Sequence, residues 1–167
     1  GLMVPFNRPA ELATDTAGTY EVLLHALNFY EKQVKCYDSV LLLQNTSPFR
    51  AAGHIKEALN IYSPDIDMVV SVSKTKTNPY YNCFEEDANG FLKKTLDSTN
   101  FVRRQDAPIT YEYNGAIYVM NTRQLKEMHY SKFSKIVKYV MDDIHSVDLD
   151  TMMDWKYAEF IIKEGLI

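Results

Sequence analysis

The chain has 167 residues, of which 46% are hydrophobic, 13% aromatic and 24% charged, enough for one domain with a real core and too few for two comfortable ones. Its 18 Lys and Arg against 22 Asp and Glu leave a formal net charge of -4, the wrong sign for a general nucleic-acid binder, which must neutralise phosphates. No apolar run approaches the roughly 20 residues that cross a bilayer. The start, Gly1-Leu2-Met3-Val4-Pro5-Phe6-Asn7, lacks a basic-then-apolar signal pattern. Cys36 and Cys83 stand far apart without CxxC or Cys/His spacing, so a reducing cytoplasm is expected rather than a disulfide framework or a zinc site.

Residues 1–6 read as the end of a strand. Over 19–34 the apolar residues Val22, Leu23, Ala26, Leu27 and Tyr30 recur on one helix face, with Asp15, Thr16 and Thr19 as N-cap candidates. The continuous run Val40-Leu41-Leu42-Leu43 predicts a strand buried on both faces of a parallel sheet. A second helix is predicted over 51–62, stopped by Ser63-Pro64, and a valine-rich strand over 68–73. Residues 80–84 and 91–94 flank Asp87-Ala88-Asn89-Gly90, whose Asn-Gly is a strong hairpin signal. Residues 116–120 predict an apolar strand, 136–140 an edge or arm strand, and 147–149 a very short strand between two acids. An amphipathic helix carrying Trp155, Ala158, Phe160 and Ile161 closes the chain over 151–163. Strands alternating with helices imply one three-layer α/β domain over 1–167, with a mixed sheet and a protruding hairpin within 79–109.

In open parallel sheets ligands bind at the carboxyl ends of the strands. After the Val40–Leu43 run comes Gln44-Asn45-Thr46-Ser47-Pro48-Phe49-Arg50, whose amide, hydroxyls and guanidinium suit a polyhydroxylated or carboxylate ligand. The alternative is a polar turn in which Thr46 or Ser47 caps the next helix. Further on, Asp148 and Asp150 stand at i and i+2, a spacing that puts both carboxylates on one face of a strand. Such a pair suits Mg2+, which takes one or two carboxylates plus substrate phosphates; otherwise Asp150 caps the last helix and Asp148 is a solvated strand end. Asp65 and Asp67, at a strand entrance, read as turn residues. Lys74, Lys76, Arg103 and Arg104 are loop cations able to neutralise an anion, or else solvated surface. His25 and His54 read as core-edge or surface histidines. The sequence holds no Gly-rich phosphate loop, nucleophile elbow, zincin motif or P-loop.

Four segments together resemble the acylneuraminate cytidylyltransferases, the CMP-sialic acid synthetases. They are Arg8-Pro9-Ala10-Glu11-Leu12-Ala13-Thr14-Asp15-Thr16, then Leu42-Leu43-Gln44-Asn45-Thr46-Ser47-Pro48-Phe49-Arg50, then Arg104-Gln105-Asp106 through Asn114-Gly115-Ala116-Ile117-Tyr118, and Val147-Asp148-Leu149-Asp150-Thr151. They occur in family order and span nearly the whole chain. The resemblance implies a Rossmann-like nucleotidyltransferase fold and a homodimer whose inserted arm reaches the neighbouring active site. It implies transfer of CMP from CTP to a nine-carbon 2-keto sugar acid, a sialic acid, with release of pyrophosphate. Carried over by position, Gln44, Thr46, Ser47, Arg104, Asn114 and Tyr118 would contact the sugar acid. Asp148 and Asp150 would hold Mg2+, and Arg8 and Thr19 would lie on the nucleotide side.

Some features depart from the family pattern. The family's opening strand and its basic, Gly-containing loop, resembling AxRxGSKG, have no counterpart here, so the N-terminal β-α units are expected to be absent and the 167 residues alone inactive. Asn45 replaces the usual proline of the QPTSP loop, and Glu112 and Tyr81 stand where some relatives carry basic residues. The alternatives are a cytidylyltransferase for another nonulosonic acid, legionaminic or pseudaminic, with NGAIY against the pseudaminic branch, or a non-catalytic dimerisation or sugar-binding module.

Overall fold

The structure is a computed structural model that describes residues 4–14, 17–96, 101 and 103–167. Four strands form a mixed sheet in the order β1-β5-β2-β6: β1 (Ser39–Leu42), β2 (Met68–Lys74), β5 (Tyr111–Asn121) and β6 (Ile136–Val140). Strand β5 runs antiparallel to both β1 and β2, whereas β2 and β6 are parallel. Two further strands, β3 (Phe84–Glu86) and β4 (Leu92–Lys94), form a separate hairpin.

The helices cover both faces. Leu23 and Leu27 of α1 (Thr19–Glu31) and Leu125 of α3 (Thr122–Glu127) bury against Met68, Val70, Val72 and Met120. On the other face Ala58 of α2 (Ala52–Ile61) meets Val69, Ile117 and Val119. Along β2 the alternating valines and methionine therefore serve two different cores, which is why the whole strand except Lys74 is buried. A third cluster joins Ala158 and Ile161 of α4 (Met152–Lys163) to Phe49 and Val147. This is the three-layer α/β architecture expected from the alternation of elements.

Several expectations need correcting. The Val40–Leu43 run is not a doubly buried strand of a parallel ladder: β1 hydrogen-bonds antiparallel to β5, which separates it from β2, and its residues are only half-buried. Residues 147–149 form no strand; the segment is extended, and Leu149 N–H donates to the Thr46 carbonyl at 2.9 Å. Residues 4–6 are not in a strand either, and 1–3 lie outside the described residues; the Phe6 ring packs tilted against Phe29, with centroids 4.5 Å apart. The N-cap of α1 is Gly18, with Thr19 already inside the helix, and Asp15 and Thr16 lie outside the described residues. Helix α4 is capped by Thr151, whose side chain accepts from Asp154 N–H while Asp154 accepts from Thr151 N–H, so Asp150 is not the cap. Asp67 is more than a turn residue: its Oδ2 accepts from Ser134 N–H and Lys135 N–H and pins β2 to the start of β6. Those hydrogen bonds hold its carboxyl below the usual carboxylate range.

Helix α1 ends in a Schellman turn, with Lys35 N–H donating to the Tyr30 carbonyl and Val34 N–H to that of Glu31. The left-handed position, normally glycine, is Val34 at φ 59, and its side chain is 91% exposed, so no packing compensates the strain. That conformation costs an L-residue about 1–2 kcal/mol. The entropy of a glycine in the unfolded chain offsets about 0.5–1 of it. Val34→Gly is therefore expected to raise the melting temperature by up to about 6 °C. A lower melting temperature in a thermal scan would contradict this account.

Candidate functional site

The carboxyl ends of β1, β2 and β6 and the start of β5 lie at one edge of the sheet. There a cleft of ≈ 600 Å³ is lined by Arg8, Thr19, Gln44, Thr46, Asp148 and Asp150, together with apolar residues of α1 and β1. Six of the residues singled out from sequence thus meet in one place, drawn from four segments of the chain.

The cleft floor is set by a break in the β2–β5 ladder. Val70 faces Tyr118 and Val72 faces Tyr113, so β5 takes five residues to travel what β2 covers in two. The backbone polar groups stranded by this bulge are served by side chains. Ile117 N–H donates to Ser71 Oγ at 2.7 Å, and Ser71 O–H donates to Asn114 Oδ1 at 2.6 Å. Asn114 Oδ1 also accepts from Ala116 N–H at 3.2 Å, while the Ala116 carbonyl accepts from Arg50 Nη1 at 2.8 Å. The same Arg50 nitrogen donates to the Gln44 carbonyl at 2.9 Å. Arg50 thus clamps the Gln44 loop to the bulge through Nη1, and burial lowers its pKa from the ordinary value.

Gly115 crowns the bulge at φ 75. A Cβ there would collide with Gln44 Oε1 and would lie 3.3 Å from Asp148 Oδ2. The amide and the carboxylate therefore converge on a bare stretch of backbone. Asp148 Oδ1 is buried and has no hydrogen-bond partner. Although 147–149 is not a strand, its alternation survives: Val147 and Leu149 turn into the α4 cluster while Asp148 and Asp150 line the cleft.

The other predicted positions fall elsewhere. Tyr118 is half-buried on β5, and burial first, then Tyr130, Tyr113 and Asp148, push its phenol pKa up. Asn114 is buried beneath the cleft within the bulge network, and its Nδ2 donates to Ser146 Oγ at 2.9 Å. Ser47 is buried, and its Oγ has no partner. Arg104 is exposed and lines a separate cleft of ≈ 210 Å³ with Lys74 and Thr110. The sequence reading missed Ser71 and Ser146. A serine in the middle of a valine-rich buried strand was the available signal for Ser71, since a buried hydroxyl needs a partner.

Gly115→Ala is expected to destabilise the fold by at least about 1–2 kcal/mol, from the left-handed backbone alone. Gln44 must also move from its seat, so urea melts should show the loss together with faster amide exchange in the Gln44 loop. Wild-type values on both would mean the bulge does not constrain the cleft.

The chain is 32% identical over 162 residues to the post-translational flagellin modification protein B of Campylobacter coli, covering 95% of this chain and 68% of that protein. It is 34% identical over 166 residues to the CMP-N,N'-diacetyllegionaminic acid synthase of Legionella pneumophila, covering 98% of this chain and 70% of that one. With the N-acylneuraminate cytidylyltransferase of Escherichia coli it shares 35% identity over 155 residues, 90% of this chain but 35% of the longer relative. No family model matches the chain. Relatedness at this level along almost the whole chain, added to the Gln44 loop, the NGAIY bulge and the Asp148/Asp150 pair, places the chain in the acylneuraminate cytidylyltransferase family.

Proposed function

We infer that the chain serves the transfer of CMP from CTP to a nine-carbon 2-keto sugar acid, with release of pyrophosphate and with Mg2+ held by Asp148 and Asp150. The observation that carries this reading is the cleft in which Asp148 Oδ1 lies buried and unpartnered beside Gln44. The donor set suits Mg2+: two carboxylates line the cleft, and among the described residues no group of three acidic, His or Cys ligands forms an all-protein cage. Mg2+ keeps several waters and takes substrate phosphates as its remaining ligands. When bound it would supply charge for the α-phosphate and for the departing pyrophosphate.

On this reading Gln44 and Thr46 orient the acceptor's hydroxyls and carboxylate, with Tyr118 and Arg104 on the sugar side, and Arg8 and Thr19 approach the nucleotide. The acceptor is a sialic acid or, as the Legionella relative favours, a legionaminic acid. Product formation with each sugar acid, followed by 31P NMR, distinguishes the two. Asp150→Asn is expected to lower CMP-sugar formation by at least a hundredfold without loss of fold. Near-wild-type turnover at saturating Mg2+ would overturn the metal assignment.

The arm supports a homodimer. The β3–β4 hairpin is a two-stranded sheet apart from the main one, and Phe91 and Leu92 are 70% and 72% exposed on it. Such a hairpin is marginal alone in water, and an aromatic, apolar surface suits an interface core. Its Asp87-Ala88-Asn89-Gly90 turn is tightly built, with Gly90 at φ 85 and Asp87 Oδ1 accepting from the Asn89 and Phe91 N–H groups, so the tip is a formed element. Light scattering should find a dimer that the paired Phe84→Glu and Phe91→Glu variant abolishes while remaining folded. A wild type that stays monomeric at high micromolar concentration would overturn the arm's role.

A further inference from the structure

Asp148 sits in a segment with no ladder of its own, yet its carboxylate is aimed at one place. Two hydrogen bonds fix that segment to the rest of the protein near the cleft. Leu149 N–H donates to the Thr46 carbonyl at 2.9 Å, and Ser146 Oγ accepts from Asn114 Nδ2 at 2.9 Å. The second bond continues inward. Asn114 Oδ1 accepts from Ser71 O–H, and Ser71 Oγ accepts from Ile117 N–H, so a chain of side-chain bonds runs from the centre of the sheet to the residue two before Asp148. The orientation of the Asn114 amide is dictated rather than arbitrary. Ala116 N–H needs an acceptor, which must be Oδ1, and this leaves Nδ2 to face Ser146.

We propose that Ser146, gripped by Asn114, is a positioning residue for the Asp148 carboxylate: it holds the aspartate over Gly115 and beside Gln44 in the geometry that receives the metal. The proposal rests on the metal reading given above and adds to it a residue outside the ligand pair. Asp148 Oδ1 has no hydrogen-bond partner, so no bond at that oxygen orients the carboxylate. The point from which the side chain starts is set by the backbone, which the Ser146 and Leu149 bonds fix. Groups that orient a ligand in this way typically change metal affinity by about 10–100-fold when removed. The neighbouring His145, paired through Nδ1 with Asp142 at 2.8 Å, closes the turn on its outer side and does not reach the bulge network.

The test uses the 167-residue chain with Ser146→Ala, Ser146→Thr and Asp148→Asn, and reads two quantities. Amide exchange at Leu149 reports whether the loop is held, and Mn2+ titration by electron paramagnetic resonance reports the metal site. Ser146→Ala is expected to speed Leu149 exchange and weaken Mn2+ binding about tenfold. Ser146→Thr, which keeps the hydroxyl, should restore both, and Asp148→Asn should lose Mn2+ with exchange unchanged. Unaltered Leu149 exchange in Ser146→Ala would overturn the proposal by showing that the bond does not hold the loop. Faster exchange with unchanged Mn2+ affinity would overturn it by showing that the loop's position is immaterial to the metal. A wild type that binds no Mn2+ would overturn the metal reading itself, and this proposal with it.

Discussion

The hydroxyl of Ser71 is buried at the middle of the central sheet, where the β2–β5 ladder fails, and the site depends on how that failure is repaired. An open backbone in a sheet core would leave several N–H and C=O groups unpaired, at about 1–3 kcal/mol each. Here the Ser71 hydroxyl, the Asn114 amide and the Arg50 guanidinium take over those groups. Because each also reaches a second segment, the repair has a structural by-product. Arg50 fixes the Gln44 loop and Asn114 fixes the Ser146 turn, both against the same three residues of β5. The loops that line the cleft are thus tied to the central sheet.

This arrangement explains what could be read from the chain and what could not. The hydrophobic periods of α1, α2, β2 and α4 are strong because each of these elements packs one face or both against a core, and their places followed directly. The Val40–Leu43 run misled because an apolar strand looks the same whichever way its neighbour runs; the antiparallel β5 between β1 and β2 is a long-range pairing with no local signature. The 147–149 segment misled for a related reason. Alternating apolar and acidic residues imply an extended chain with two faces, but not a hydrogen-bonded partner. The alternation still put Asp148 and Asp150 in the cleft, because Val147 and Leu149 are drawn to the α4 cluster. Asn114-Gly115 was legible as a motif but not as physics: the left-handed glycine and the amide that serves its neighbours make sense only once the bulge is known.

The last helix contributes to the site only through that pull. Its cap is a reciprocal Thr151–Asp154 pair, which fixes where the helix starts and therefore where the acidic segment must end. Asp154 is held below the usual carboxylate range by its bonds to Thr151, which keeps the cap charged and makes it distinct from the Asp148/Asp150 pair upstream. Three aspartates lie within seven residues, and the structure assigns them different work: one closes a helix, and two face a cavity.

The charge balance of the cleft gives the reason a metal belongs in the reading. Among the described residues lining it, Arg8 is the one cation and Asp148 and Asp150 are the anions, so the cavity is negative before any substrate enters. A nucleoside triphosphate and a sugar carboxylate are both anions, and two like charges about 4 Å apart repel by about 4 kcal/mol near a protein surface. A divalent cation on the two carboxylates reverses the sign of the cavity, whereas protonating one aspartate would only bring it to neutral. On the proposed reading, a negatively charged, oxygen-lined cleft would take two anionic substrates together with a hard cation. On the proposed reading, the unpartnered Asp148 Oδ1 marks the carboxylate such a cation would join.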